Sequence, residues 1–107
     1  MILIIERDPI VRIDLIEAMM TERSHVSVTG TDVLEHYVGL DRPSLVFVDI
    51  SFNETRRSAR LSDWISKGTK VVLTNTNDDQ VDLPLVKLPR PFSEEVLMST
   101  IRPLLPE

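Results

Sequence analysis

The run of four apolar residues Leu45–Val48, followed directly by Asp49, constrains the fold of this chain more than any other feature. A strand made only of apolar residues must be buried on both faces, which is typical of inner strands in parallel sheets. Residues 1–5 form a second apolar run of this kind. In open parallel sheets, polar groups that bind ligands collect at the carboxyl ends of the strands. Asp49 is therefore the first candidate functional residue.

Hydrophobic periodicity and turn chemistry predict that strands and helices alternate along the chain. Asp8-Pro9 is a strong helix start, and the apolar residues from Ile10 to Met20 are interpreted as one helical stripe that extends to about Glu22. Only 15 residues separate Thr74 from Arg90, too few for a full helix and a strand, so the fourth helix is expected to be missing or reduced to one turn. The predicted strands cover residues 1–5, 25–29, 45–49, 70–74 and 85–88, and the predicted helices cover 9–22, 31–39, 55–66 and 93–105.

Length and charge exclude several classes of protein. The chain has 107 residues, enough for one α/β domain with its own core, and we expect residues 1–107 to be a single domain. Its net charge is −5 and its longest basic block is Arg56-Arg57, which argues against nucleic acid as a partner. It contains no cysteine, no apolar stretch of membrane-spanning length and no secretory signal pattern. We therefore expect a cytoplasmic protein without a membrane partner.

Several polar residues follow the predicted strands and would meet at the same edge of the sheet. Glu6 and Asp8 follow the first strand, Thr74 ends the fourth, and Arg90 follows the fifth. An acidic pair, a strand-end aspartate, a hydroxyl group and a cation in this arrangement suggest that Asp49 accepts a phosphoryl group. Phosphoryl transfer requires in-line positioning and positive charge on the phosphoryl oxygens, which these residue types could supply.

The order and spacing of four segments resemble the receiver domain of bacterial two-component response regulators, and the resemblance covers essentially the whole chain. Each segment is weak evidence alone, whereas the four in order are specific. They are Ile2 to Arg12 with the acidic turn Glu6-Arg7-Asp8, Arg42 to Asp49, Lys70 to Asn75, and Val86 to Ser93 with Arg90-Pro91-Phe92.

The resemblance implies a three-layer doubly wound sheet of five parallel strands, in the flavodoxin-like order 2-1-3-4-5, with helices on both faces. It also implies the role of each site residue. Asp49 would be the phosphoacceptor, Thr74 would bind the phosphoryl oxygens, and Arg90 would stand where the family has a lysine. Glu6, Asp8 and Asp49 would be the metal ligands for Mg²⁺, which prefers carboxylate oxygens and retained waters.

Three further departures from the family pattern accompany the shortened fourth-helix region. Arg7 occupies the second acidic position, where it removes a Mg²⁺ ligand and adds positive charge, so metal binding is expected to be weak or absent. We expect its guanidinium to pair with Asp49 or Glu6. Arg90 replaces a compact ammonium with a planar fork. Lys87 stands where the family usually carries an aromatic switch residue.

These residues and the resemblance leave two functions open. The first is a stand-alone receiver-like domain that accepts a phosphoryl group on Asp49 from a histidine kinase or phosphotransfer protein, and signals to a downstream protein or a second copy. The second is a pseudo-receiver that binds partners without phosphorylation or Mg²⁺. An enzyme acting through Glu6, Asp8 and Asp49 is disfavoured because no nucleophile–base pair is present. Self-catalysed phosphoryl transfer to Asp49 is the most chemistry that we expect.

Overall fold

The fold is a five-stranded parallel sheet in the order β2-β1-β3-β4-β5, seen in a computed structural model that describes residues 1–39, 41–74, 85–88, 90 and 92–105. The α/β class, the doubly wound layout and the strand order are all confirmed. The strands are β1 (Ile2–Ile5), β2 (Val28–Thr31), β3 (Leu45–Val48), β4 (Lys70–Leu73) and β5 (Leu85–Lys87). The helices are α1 (Pro9–Glu22), α2 (Phe52–Arg57), α3 (Ala59–Ser66) and α4 (Glu94–Ile101), with 3₁₀ turns at Leu34–His36 and Arg102–Leu104.

The helices cover the sheet from both sides, and each side has its own apolar cluster. On one face, Leu15 and Met19 of α1 and Leu97 and Ile101 of α4 pack on alternate residues of β1 and β3. On the opposite face, Leu61 and Trp64 of α3 pack against the other residues of the same strands, together with Tyr37 and Leu85. Every residue of β1 and β3 is therefore buried.

The second strand and the following helix differ from the prediction. β2 begins at Val28 rather than at residue 25, because the Val26 amide donates to the Arg23 carbonyl at 3.1 Å and closes a turn there. The helix predicted over 31–39 is only the turn Leu34–His36. The backbone is extended at Val33 (φ −137°, ψ 155°) and at Tyr37 (φ −82°, ψ 107°), which limits the helical turn to the residues between them. The Arg60 guanidinium binds the carbonyls of Tyr37 and Gly39 at 2.7 and 3.0 Å.

The helix predicted over 55–66 is two helices that meet at Ser58. This residue has an extended backbone (φ −77°, ψ 114°), and its hydroxyl oxygen accepts from the Leu61 amide at 3.2 Å, so it caps α3. Ser51 caps α2 in the same way through the Glu54 amide. The prediction of a reduced fourth helix concerns residues 75–84, which lie outside the described residues.

The helix predicted over 9–22 is confirmed as α1, but its apolar residues do not all face the core. The inward face consists mainly of Leu15 and Met19, whereas Ile10, Ile13 and Met20 are 71%, 53% and 54% exposed. These three residues lie on the outward face because helical geometry places them about half a turn away from the buried pair. Among the helices that the structure describes, none is long and apolar enough to cross a membrane.

We predict that Phe47→Ala will destabilise the fold severely. Phe47 is fully buried in the central strand β3, and removing a buried aromatic side chain costs about 3–5 kcal/mol. Urea unfolding followed by circular dichroism should show this loss, whereas the exposed control Val38→Ala should change stability by less than about 0.5 kcal/mol. Equal effects of the two changes would contradict the assigned core.

Candidate functional site at the carboxyl edge of the sheet

Strand register brings the candidate residues to one edge of the sheet. Ile5 pairs with Val48, and Val48 pairs with Leu73, so the residues that follow these strands are neighbours. These residues are Glu6, Asp49 and Thr74. Arg90 reaches the same edge from the segment that follows β5. Of the predicted cluster, Glu6, Asp49, Thr74 and Arg90 therefore lie at this edge of the sheet.

Glu6 and Arg90 form an ion pair at the centre of this cluster. The Glu6 side chain is 1% exposed, and its Oε1 accepts from Arg90 Nη2. The same guanidinium nitrogen lies 3.5 Å from Thr74 Oγ1. A buried carboxylate needs a paired cation, and the Arg90 side chain supplies it while 29% of its own surface stays exposed. The cation that the resemblance assigns to the phosphoryl group is thus engaged with Glu6.

The pKa of Glu6 is raised above its usual value. Burial is the largest cause because it penalises the charged form, and the neighbouring Asp49 carboxylate raises the pKa further. Arg90 opposes both effects through its hydrogen bond and its charge. The charge state of Glu6 therefore depends on Arg90.

Asp49 is held by the backbone of the loop that follows β1. Its Oδ2 accepts from the Arg7 amide at 2.9 Å. The sequence led us to expect a contact from the Arg7 guanidinium, but the backbone of Arg7 makes this bond and its side chain is exposed. Asp49 also lines an open pocket of about 310 Å³ with Arg7, Arg57 and Ser58.

Thr74 lies at the carboxyl edge of the sheet, as predicted, but its hydroxyl already donates a hydrogen bond within the sheet. The residue is 1% exposed, and its Oγ1 donates to the Val48 carbonyl at 3.2 Å, beside a 2.9 Å bond from its amide to the same carbonyl. Rotation of the side chain would be required before the hydroxyl could donate to a phosphoryl oxygen.

The residues at this edge do not fit Mg²⁺. Asp8 is engaged as the cap of α1, where its Oδ1 accepts from the amides of Ile10 and Val11 at 2.9 and 3.4 Å. Glu6 is paired with Arg90, and Arg7 stands between the two acids in the sequence. Within the described ranges, no group of three or more His, Asp or Glu side chains could hold a metal ion.

Two residues at the site were not anticipated from the sequence. Arg12 Nη1 donates to the Glu6 carbonyl at 2.8 Å and anchors α1 to the site. Arg57 lines the Asp49 pocket from the end of α2. Arg12 follows the cap residue Asp8 by about one helical turn, which returns its side chain toward the start of the helix and could have indicated the first contact. Arg57 belongs to a short helix that the sequence pattern does not separate from the helix after it.

Comparison of this chain with protein-family models, with curated proteins and with solved structures gives no match in any of the three. The interpretation of the site therefore rests on its geometry.

We predict that Arg90→Met will destabilise the fold more at neutral pH than at acidic pH. Removing the cation leaves a buried carboxylate, a change that costs on the order of 2–4 kcal/mol when the lost partner is partly exposed. A carboxyl group whose pKa is raised in the folded state gives its full stabilisation below its unfolded pKa. That contribution is lost as the pH rises through the folded pKa.

Urea unfolding between pH 5 and 8 should therefore show a growing penalty for Arg90→Met as the pH rises. The double variant Glu6→Gln/Arg90→Met lacks the titrating group and should lose this pH dependence. A penalty independent of pH in the single variant would show that Glu6 is not the group left uncompensated.

We also predict that Arg7→Asp will increase Mg²⁺ affinity. The change removes a positive charge and adds a carboxylate beside Asp49, and a tenfold gain would correspond to about 1.4 kcal/mol. Titration calorimetry with MgCl₂ measures this gain, and Arg56→Asp is a control of equal charge change. An equal response in both variants would mean that only net charge matters.

Proposed function

We propose that this protein is an atypical receiver-like domain of a two-component phosphorelay, in which Asp49 accepts a phosphoryl group. The observation that carries the proposal is the convergence of Asp49, Thr74, Glu6 and Arg90 at the carboxyl edge of a sheet with order 2-1-3-4-5. A histidine kinase or a phosphotransfer protein would donate the phosphoryl group, and a downstream protein would recognise the product.

The transfer step requires the following balance of bonds. A carboxylate oxygen of Asp49 attacks phosphorus, the bond from phosphorus to the donor nitrogen breaks, and the donor histidine leaves with that electron pair and takes up a proton. The backbone amide of Arg7 donates to Asp49 Oδ2 and orients it. This donor is a backbone amide, which does not titrate. Arg7 and Arg57, which line the pocket beside Asp49, would supply positive charge to the transferring group.

Phosphorylation would also change the partners of Arg90. Phosphorylation of Asp49 replaces the single negative charge of its carboxylate with the roughly two charges of an acyl phosphate, near a guanidinium that is now shared by Glu6 and Thr74. The guanidinium would move toward the stronger anion, and the pKa of Glu6 would rise further because the cation that lowers it has left. The signal would be this local rearrangement, read by a partner at the sheet edge.

The second candidate is a binding module that works without phosphorylation. The Glu6–Arg90 ion pair favours it, since the first acidic position is neutralised by the cation that would otherwise meet the phosphoryl group. The two oxygens of Asp49 are also constrained, because Oδ2 accepts from the Arg7 amide and Oδ1 is shielded from solvent. In this case the site would stabilise the edge of the sheet.

Incubation with acetyl phosphate, with and without Mg²⁺, followed by intact mass measurement, tests the proposal. We expect one phosphoryl adduct that does not require Mg²⁺ and that is absent from Asp49→Asn. Asp41→Asn, a change at an exposed aspartate away from the site, is the matched control and should be labelled like the natural chain.

Two outcomes of this experiment would count against Asp49 as a phosphoacceptor, and a third, labelling that requires Mg²⁺, would contradict only the expected independence from the metal. Labelling that persists in Asp49→Asn would remove Asp49 from the role of acceptor. Labelling that requires Mg²⁺ would show that the metal binds despite Arg7 and the Glu6–Arg90 pair. No adduct under any condition would favour the module that binds its partners without phosphorylation.

A further inference from the structure

The outward face of α1 is apolar although it faces solvent. Ile10, Ile13 and Met20 are 71%, 53% and 54% exposed, and with Glu17 they follow the spacing i, i+3, i+7, i+10. This spacing places them in one straight row along about three turns, or roughly 15 Å, of the helix. A surface helix normally keeps its apolar residues toward the core, so a row of large apolar residues on the outer side indicates a binding surface.

A groove between α1 and α4 continues this row. Its volume is about 470 Å³, and its apolar wall includes Ala18, Phe92, Leu97 and Met98. Acidic side chains surround that wall, namely Asp14, Glu17, Glu22 and Glu94. The basic residue Arg102 also lines the groove, where its Nε donates to Glu22 Oε1 at 3.0 Å. The row and the groove share Glu17, so they form one surface, which we call the α1 surface.

The charge on the α1 surface is negative. The only basic residue of α1 is Arg12, and its guanidinium is directed toward the sheet edge, where it donates to the Glu6 carbonyl at 2.8 Å. Arg102 also lines the groove, but its Nε is bound to Glu22, so the acidic side chains outnumber the basic ones among the residues that line it. A partner that covers the row must bring positive charge to these carboxylates.

We infer that the α1 surface binds a basic amphipathic helix of a partner protein. The apolar residues of that helix would recur every three to four positions and pack between Ile10, Ile13 and Met20, in the usual manner of a helix bound in a groove. Its lysine or arginine residues would meet Asp14 and Glu17. This binding does not require phosphorylation of Asp49.

A second copy of this chain does not meet these requirements. Pairing two α1 surfaces would place Asp14 and Glu17 of one copy against the same acidic row of the other. Like charges in a desolvated interface oppose association, so the charge pattern selects a basic partner over self-pairing.

The test uses a fluorescent synthetic peptide with leucine and lysine at helical spacing, and fluorescence anisotropy as the measurement. Two peptides serve as controls, one with the same composition in scrambled order and one with glutamate in place of lysine. We expect the helical leucine–lysine peptide to bind at least about tenfold more tightly than either control.

Variants of the chain locate the binding surface. Ile13→Ser and Glu17→Lys should each weaken binding of the leucine–lysine peptide by about tenfold, because an apolar anchor and a charge partner are lost. Val38→Ser removes an apolar side chain that is 87% exposed but lies outside α1, and it should leave affinity unchanged within about twofold. Both α1 positions are exposed, so these variants should keep the fold, which circular dichroism verifies.

Several results would overturn the inference. They are no binding of the helical peptide, equal binding of the scrambled peptide, or equal affinity of the natural chain and both α1 variants. Sedimentation of the chain alone is also informative, since a dimer that Ile13→Ser converts to a monomer would show that a second copy covers this surface. None of these results depends on labelling of Asp49, so failure here is distinguishable from failure of the proposed phosphoryl transfer.

Discussion

Burial of β1 and β3 on both faces is the constraint on which the rest of the structure depends. Every residue of these two strands is buried, so neither strand can carry a polar side chain within the sheet. Polar chemistry is therefore confined to the residues that follow the strands, beginning with Glu6 and Asp49. The parallel register then places these residues side by side, because Ile5 and Val48 pair at the last position of each strand. The site is a direct consequence of how the core is built.

The Glu6–Arg90 ion pair follows from this confinement. Glu6 lies so close to the apolar interior that its charged form requires a cation, and Arg90, distant by 84 positions in the chain, supplies it. The same pair makes the site sensitive to added negative charge, since one guanidinium is shared between Glu6 and Thr74. The neutralisation of Glu6 and the response of the site to added negative charge thus both depend on the Arg90 side chain. This double role distinguishes the site from a simple buried salt bridge.

The sequence predicted the parts of this protein that depend on apolar runs and strand ends. Leu45–Val48 and Asp49, for example, were placed correctly because four apolar residues and a terminal carboxylate have few alternative interpretations. It failed for the helix predicted over 31–39, where the backbone is extended at Val33 and Tyr37 and where Arg60, distant in the chain, binds the carbonyls of Tyr37 and Gly39. It also failed to foresee that Arg90 would pair with Glu6, since no local pattern reports a partner so distant in the chain.

The site and the α1 surface are connected through one short segment. Asp8 caps α1 directly after Glu6 and Arg7, and Arg12 of α1 donates to the Glu6 carbonyl, so the first turn of the helix is fixed to the site by two contacts. Ile10 and Ile13 lie within this same turn or next to it. A partner helix bound there would restrain the segment that holds Asp49 through the Arg7 amide. Because coupling between sites is reciprocal, any change in the charge of Asp49 that shifts this segment must also alter affinity at the α1 surface.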